Sequence, residues 1–394
     1  MSTAPHGDDT AGLPPPSLEA RAHGEQVLSH VAAAIDEGGG WISFADYMGT
    51  VLYAPGLGYY SAGARKFGAA GDFVTAPEMT PLFGAALATA AADVIERLPD
   101  SDLIELGPGT GRLAGDLLNA LAAKERLPRR YRLLEVSADL AARQRECLRE
   151  RAPAMLPRVD WIEILPARWR GLMVANEVLD AVPPHLIARQ RGAWFERGVG
   201  LAGDGLALVD RPLPPGALRD AASAAFPPEG DYVSEINPAA QALVRSLAER
   251  CDAGVLLIID YGFPANEYYH PQRASGTLVA HYRHRVVHDP LFMPGLCDLS
   301  AHVDFSAIAR AGVAGGMTVG GYTTQARFLI NCGILDALAA CGDPQTSAYL
   351  RQVAAVQKLL SPAEMGELFK VLALVRGVDG DLAGFSDGDQ GHRL

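Results

Sequence analysis

The run Asp102-Leu-Ile-Glu-Leu-Gly-Pro-Gly-Thr-Gly-Arg112 limits what this chain can fold into more than any other segment. Residues 103–106 form a short apolar run suited to a buried parallel strand. Leu113, Leu117, Leu118 and Leu121 then recur on one helical face. Three glycines between the two elements let the backbone turn sharply and let a ligand approach the main chain. A ligand carrying a nucleoside suits such a strand–turn–helix, and the spacing narrows the choice. The dinucleotide fingerprint is G-x-G-x-x-G, with a pyrophosphate seated on the helix N-terminus. Here the third glycine arrives one residue early, at Gly111, and Arg112 stands where that fingerprint wants glycine. A phosphate cradle is the poorer match.

Glu105, two residues ahead of Gly107, completes an acidic-x-G-x-G-x-G form that resembles the first motif of S-adenosylmethionine (SAM) methyltransferases. Its carboxylate either meets the ammonium end of that cofactor or orders the loop. Tyr131-Arg-Leu-Leu-Glu-Val-Ser137 reads as the next strand. In doubly wound folds an acid at its end, here Glu135, accepts hydrogen bonds from the ribose hydroxyls. Otherwise Glu135 only ends a strand at the surface. Two more buried strands, 171–175 and 255–259, are almost wholly apolar and stop at Asn176-Glu177 and Asp260-Tyr261. Ligands of open α/β sheets bind at the carboxyl ends of strands, so both polar ends share the rim of the glycine turn.

Composition bounds the class. The chain has 394 residues, 49% hydrophobic and 20% charged, enough for a sizeable core. Its formal net charge is −12, without a lysine or arginine run, which argues against a nucleic-acid partner. Five cysteines, at 147, 251, 297, 332 and 341, are dispersed and form no C-x-x-C pair. That disfavours a zinc site or disulfide framework and predicts a reducing, cytoplasmic location. No apolar stretch of about 18 residues and no secretory leader are evident, so membrane insertion is not expected.

The predicted organisation is an acidic, proline-rich disordered tail at 1–16 and a helical cap at 17–97 bearing a cofactor-covering loop. The main α/β domain spans 98–377, with insertions at 183–232 and 323–367, and a loose tail follows at 378–394. Ser17 caps a helix bearing Leu28, Val31 and Ile35, which stops at Gly38-Gly-Gly40. Arg191-Gly192 and Gly203-Asp-Gly205 punctuate the first insertion as an antiparallel β meander. Asn237-Pro238 starts a helix, 262–301 reads as an irregular histidine-rich loop, and residues 303–312 are predicted helical.

Beyond the glycine turn, the chain resembles the MidA family of bacterial and mitochondrial SAM-dependent methyltransferases, which includes the mitochondrial complex I assembly arginine methyltransferase. The residues that carry the resemblance are Leu57-Gly-Tyr-Tyr-Ser61, Gly71-Asp-Phe-Val-Thr-Ala-Pro-Glu78, Glu105-Leu-Gly-Pro-Gly-Thr-Gly111, Ala175-Asn-Glu-Val-Leu-Asp180, Asp260-Tyr-Gly262, Ala301-His-Val-Asp-Phe305 and Glu367-Leu-Phe-Lys-Val-Leu372. They run from about residue 41 to 377; Met79 and Thr80 depart from the Ile-Ser usual in the family. The resemblance implies a class I methyltransferase fold, a Rossmann-like and mostly parallel sheet. It also implies methylation of an arginine on a protein substrate, a respiratory-complex subunit in the mitochondrial relatives. SAM is the implied cofactor and S-adenosyl-L-homocysteine the product. Asp72, Phe73, Thr75, Pro77, Glu105, Gly107, Gly109, Gly111, Glu135 and Asn176 are the candidate cofactor contacts.

Arginine chemistry then selects residues. A guanidinium stays charged and its lone pairs are delocalised, so an enzyme must fix its plane and aim one nitrogen at the methyl. Two carboxylates do so through bidentate pairing. Glu177 and Asp180 lie three residues apart and would share a face if the segment turned helically, making them the expected catalytic clamp. In the alternative, Asp180 caps the next turn and Glu177 touches only the cofactor. His302 either caps the following helix with Asp304 and lines the pocket, or relays a proton. Asp260, Tyr261 and Asp304 are the candidate substrate contacts. Tyr59 and Tyr60 either shield the cofactor or fill core. His281, His284 and His288 sit among Arg283 and Arg285, whose charge disfavours a bound metal. The strand end also lacks the proline-rich Asn/Asp-Pro-Pro-aromatic segment of an adenine methyltransferase. Two other functions remain open on sequence alone: a SAM-binding assembly factor without turnover, and a small-molecule or RNA methyltransferase.

Overall fold

The computed structural model describes residues 13–61, 75–203 and 205–394. They fall into two compact units. The glycine-turn unit draws on Val74–Leu179, Gln241–Ala265 and Val303–Leu394; the meander unit draws on Met1–Phe73, Asp180–Ala240 and Asn266–His302. This division differs from the predicted one. The helix Pro81–Arg97 groups with the glycine-turn unit because its Leu82, Phe83, Leu87 and Val94 share a core with Leu103, Leu113 and Leu117.

The main sheet of the glycine-turn unit has seven longer strands. They are β1 Asp102–Leu106, β2 Tyr131–Leu134, β3 Val159–Ile162, β4 Trp169–Asn176, β5 Cys251–Phe263, β6 Thr318–Thr324 and β7 Phe369–Arg376. Their spatial order is β3-β2-β1-β4-β5-β7-β6. The first five run parallel, and β7 lies antiparallel to both β5 and β6. A two-residue strand, Val303–Asp304, pairs in parallel with the end of β5. All five residues of β1 are buried, as expected for a strand covered on both faces. From β1 the chain steps outward to β3 and then returns to β4. The strand order therefore reverses beside β1, at the kind of switch point where open α/β sheets bind ligands. This is the Rossmann-like, mostly parallel sheet the sequence predicts.

The tail expected to be loose is part of this unit. Leu382 and Phe385 are buried, and the Phe385 ring packs on Phe328 with centroids 5.5 Å apart. Asp389 accepts the Tyr322 backbone N–H at 2.7 Å, and the Gly388 carbonyl accepts the Thr323 hydroxyl at 2.8 Å. Glycine- and aspartate-rich composition masked two apolar anchors and a set of side-chain-to-backbone bonds.

In the meander unit, helix Leu18–Glu37 is capped by Ser17, which accepts from Ala20 N at 3.1 Å, and ends at Gly38. It buries Val27, Val31 and Ile35, whereas Leu28 is only half-buried. His185–Gln190, Ala193–Ala202 and Gly205–Pro212 form the predicted antiparallel meander, extended by Tyr232–Ile236 and Ile42–Ser43. Asn237 Oδ1 accepts the Ala240 N–H at 2.9 Å and so starts helix Pro238–Glu249. Two expectations change here. Of the predicted tail 1–16, residues 1–12 lie outside the described residues. Leu13 packs on the core, and the Pro14 carbonyl accepts from the Tyr282 hydroxyl at 3.1 Å. The histidine-rich segment contains a three-stranded antiparallel sheet, Val279–Tyr282, Arg285–Val287 and Asp298–Ser300. Its tight turn holds Arg283 and His284 at φ of 46° and 64°. Such turns favour Asn-Gly, so the sequence carried no visible hairpin signal.

Candidate active site

The glycine turn joins β1 to helix Arg112–Ala123, with Gly107, Gly109 and Gly111 at φ of 58°, 52° and 82°. All three occupy the left-handed region that side chains avoid. The surroundings of two of them differ. A Cβ on Gly111 would lie 3.1 Å from Gln144 Cα, so this glycine admits the helix Ala138–Arg151. A Cβ on Gly109 would meet no described atom within 4 Å. Main chain bared in this way suits a ligand whose atoms come close to the backbone. The turn is also tied down from outside. Glu78, at the end of the Gly71–Glu78 motif, accepts the Thr110 hydroxyl at 2.5 Å and lies 3.3 Å from Arg112 Nη1. Thr75 and Pro77 belong to the short helical turn that carries Glu78. Asp72 and Phe73 lie outside the described residues. Glu78 itself was absent from the expected site, although it stands in the quoted motif.

Glu135 directly follows β2, half-buried, and its carboxylate is fixed on both sides. Oε1 accepts the Ser137 N–H at 2.8 Å, and Oε2 accepts Gln144 Nε2 at 2.9 Å. Burial leaves its pKa raised, against the lowering effect of the bonds from Ser137 and Gln144. Gln144 also donates to the Gly109 carbonyl at 2.9 Å and accepts Trp161 Nε1 at 3.0 Å.

Glu105 is buried on β1 and accepts the Tyr131 hydroxyl at 2.6 Å. Burial pushes its pKa up to about 8, against the lowering effect of that bond. An unfolded-chain carboxyl ionises near pH 4, so across the interval up to about 8 the native state holds a proton the unfolded chain has lost. Stability should therefore fall as pH rises through that window. Between about pH 7 and pH 9 the urea-unfolding free energy is expected to drop by on the order of 1 kcal/mol, and Glu105→Gln should flatten the decline. An identical slope in the variant would show that Glu105 titrates normally.

The far strand ends do not behave as expected. Residues after Asn176 form a turn instead of a helix, with Glu177 at φ 53°, so Glu177 and Asp180 share no helical face. The tertiary cause is Asp260. Its fully buried carboxylate accepts Val178 N at 3.2 Å and Leu179 N at 2.8 Å through Oδ2, and Tyr261 N at 2.9 Å through Oδ1. Asp260 thus shapes the chain beyond β4 and is not displayed to a substrate. Asp304 is likewise engaged: it caps helix Phe305–Ala314 by accepting Ala307 N at 3.0 Å. Tyr261 packs its ring on Phe369, centroids 3.9 Å apart. Asn176 Nδ2 donates to Glu177 Oε1 at 3.1 Å, and Asn176 Oδ1 is buried with no hydrogen-bond partner among the described residues. That buried acceptor, like the open face of Gly109, fits a ligand with donors of its own.

Two candidates belong to the meander unit. Asp180 is buried, and burial pushes its carboxyl up to about 7. In the same unit Tyr60 donates to Asp298 Oδ1 at 2.8 Å, and Tyr53 donates to the Ala181 carbonyl at 2.8 Å. The rings of Tyr53 and Tyr60 stack 5.6 Å apart. Burial holds both hydroxyls protonated, and Asp298 and Asp180 add to the effect. Tyr59 is core. The N-cap of helix Phe305–Ala314 is Asp304 and not His302. The His302 backbone N–H donates to Thr277 Oγ1 and its carbonyl accepts from the Tyr268 hydroxyl, both at 3.0 Å. Among the described residues no group of three or more His, Cys, Asp or Glu side chains could hold a metal ion. No described helix is long and apolar enough to cross a membrane.

The family model described as "Putative S-adenosyl-L-methionine-dependent methyltransferase" matches residues 86–323. The chain is also 31% identical over 392 residues to the Danio rerio "Protein arginine methyltransferase NDUFAF7, mitochondrial", covering 89% of this chain and 87% of that one. The chain belongs to this methyltransferase family. The Homo sapiens protein of the same name is 29% identical, covering 89% of this chain and 83% of its own. A crystal structure from Burkholderia thailandensis bound to S-adenosyl-homocysteine is 48% identical, with a TM-score of 0.94, covering 97% of this chain and 100% of that one. A native structure from the same organism is 46% identical with a TM-score of 0.90.

The methyltransferase takes SAM, whose sulfonium supplies an electrophilic methyl group. Its expected cytoplasmic location is overturned, because the curated relatives are mitochondrial proteins by name. Dispersed free thiols report a reducing compartment without saying which one.

Proposed function

We propose that this methyltransferase transfers the SAM methyl group to a guanidinium nitrogen of arginine in a protein substrate. The observation that carries this is the relatives named protein arginine methyltransferases, about 30% identical over most of both chains. The resemblance noted in the sequence makes a respiratory-complex subunit the first substrate to test. In the reaction the carbon–sulfur bond breaks with its electron pair left on sulfur, a carbon–nitrogen bond forms, and the guanidinium gives up one proton, which passes to solvent. The turn of Gly107, Gly109 and Gly111 receives the cofactor, at Gly109 against bare main chain, Glu135 takes the ribose hydroxyls, and Asn176 offers its buried acceptor. Thr75 and Pro77 remain cofactor candidates beside the turn. Glu177 of the glycine-turn unit and Asp180 of the meander unit are each a candidate to supply negative charge to the guanidinium, without the helical spacing first expected. His302 is assigned to shaping the pocket.

Incubation of the pure protein with methyl-labelled SAM and cell lysate should place label in protein, recovered as methylarginine after acid hydrolysis. Label confined to RNA or to small molecules, or no label at all, would overturn the proposal. A carboxyl with a pKa of about 7 also gives a pH signature. Asp180 must be ionised to attract a guanidinium, so kcat/KM should fall as pH drops below that value. Asp180→Asn should remove this acid limb and cost about 2–4 kcal/mol of transition-state stabilisation. Retention of the limb in the variant would assign it to another group.

A further inference from the structure

The expected cofactor site contained an acid and a glycine turn but nothing linking them. We infer that Gln144 is the positioning residue that locks the ribose acid Glu135 to the glycine turn, so that the two bind the cofactor as one piece. Gln144 is fully buried on helix Ala138–Arg151, and the partners of its amide leave no ambiguity of orientation. Nε2 faces two acceptors, the Gly109 carbonyl and Glu135 Oε2, each at 2.9 Å. Oε1 faces a donor, Trp161 Nε1, at 3.0 Å. A flipped amide would set its oxygen against two other oxygens and its N–H groups against an indole N–H. Trp161 lies on β3, so three neighbouring pieces of the fold hold one side chain in place.

The third glycine belongs to the same device. A Cβ on Gly111 would press on Gln144 Cα and Cβ, both at 3.1 Å, so the early glycine lets this helix approach. The groups facing Glu135 are the Ser137 N–H, the Gln144 amide and the Val136 N–H, all donors, and they oppose the effect of burial on its carboxyl. Loss of the Gln144 donor should make Glu135 easier to protonate, and a neutral carboxyl is a poorer acceptor for two ribose hydroxyls.

The inference rests on the proposal that Glu135 holds the ribose, so its test separates the two. Calorimetry would compare S-adenosyl-homocysteine with its 2′-deoxy analogue on the wild type, Glu135→Gln, Gln144→Ala and Gln144→Glu. In the wild type the deoxy analogue should bind about tenfold more weakly, and both Glu135→Gln and Gln144→Ala should shrink that gap toward unity. Gln144→Glu keeps the acceptor for Trp161 but sets a second carboxylate against Glu135. The pair then shares a proton, so its affinity for S-adenosyl-homocysteine should recover as pH falls. If Gln144→Ala and Gln144→Glu unfold more easily yet keep the full deoxy penalty and the wild-type pH profile, Gln144 is only a structural residue and the inference fails. If the wild type shows no deoxy penalty, the assignment of Glu135 fails instead.

Discussion

Gly109→Val is expected to abolish binding of both SAM and S-adenosyl-homocysteine while leaving the glycine-turn unit folded. Two separate arguments give this result. At φ 52° a β-branched residue is strained whatever the space around it, at a cost of about 1–3 kcal/mol. That is a fraction of a domain's stability, and no described atom lies within 4 Å of the new Cβ to add a clash. The fold should therefore survive with a lowered midpoint. Binding meets a different obstacle, because the valine methyls would stand where the cofactor approaches the main chain. A loss of a hundredfold or more in affinity, about 3 kcal/mol, should be visible by calorimetry. Gly111→Ala should show the reverse balance: it presses directly on Gln144 and should cost more in stability per added atom. A folded Gly109→Val protein with an unchanged dissociation constant would reduce the turn to a structural role.

Most of the fold was legible because buried parallel strands advertise themselves. β4 and β5 contain apolar runs that stop at polar residues, β1 runs straight into the glycine turn, and the glycine spacing alone separates this turn from a phosphate cradle. Most of the unforeseen contacts share a cause, since they depend on partners outside the local segment. Gln144 looks like a polar position on a charged helix until Glu135, Gly109 and Trp161 are seen around it. Glu78 gains its role only from Thr110 and Arg112, more than thirty residues away. The clamp geometry failed similarly. Spacing of three makes Glu177 and Asp180 neighbours only on a helix, and a carboxylate from β5 holds that segment in another conformation. The sheet in the histidine-rich segment was hidden by a turn whose left-handed positions are filled by Arg283 and His284.

Asp260→Ala is expected to be the most destabilising single change at the strand ends. The substitution removes an acceptor from three backbone N–H groups at once, those of Val178, Leu179 and Tyr261. All three bonds involve a fully buried carboxylate, and replacing it with a methyl offers these donors nothing in exchange. Hydrogen bonds to charged acceptors are individually stronger than neutral ones, and stranded donors carry a desolvation penalty. The summed cost should be about 3–5 kcal/mol, the range found when one partner of a buried charged contact is removed. Asp260→Asn keeps one acceptor oxygen but brings an NH2 toward a backbone donor, so it should recover only part of the loss. Urea unfolding of both variants measures the ladder directly. Activity supplies a second reading: Glu177 is held at φ 53° next to the anchored residues, and loosening them should lower turnover before it weakens cofactor binding. If Asp260→Asn matched the wild type in stability and turnover, the carboxylate would not be what sets the chain beyond β4.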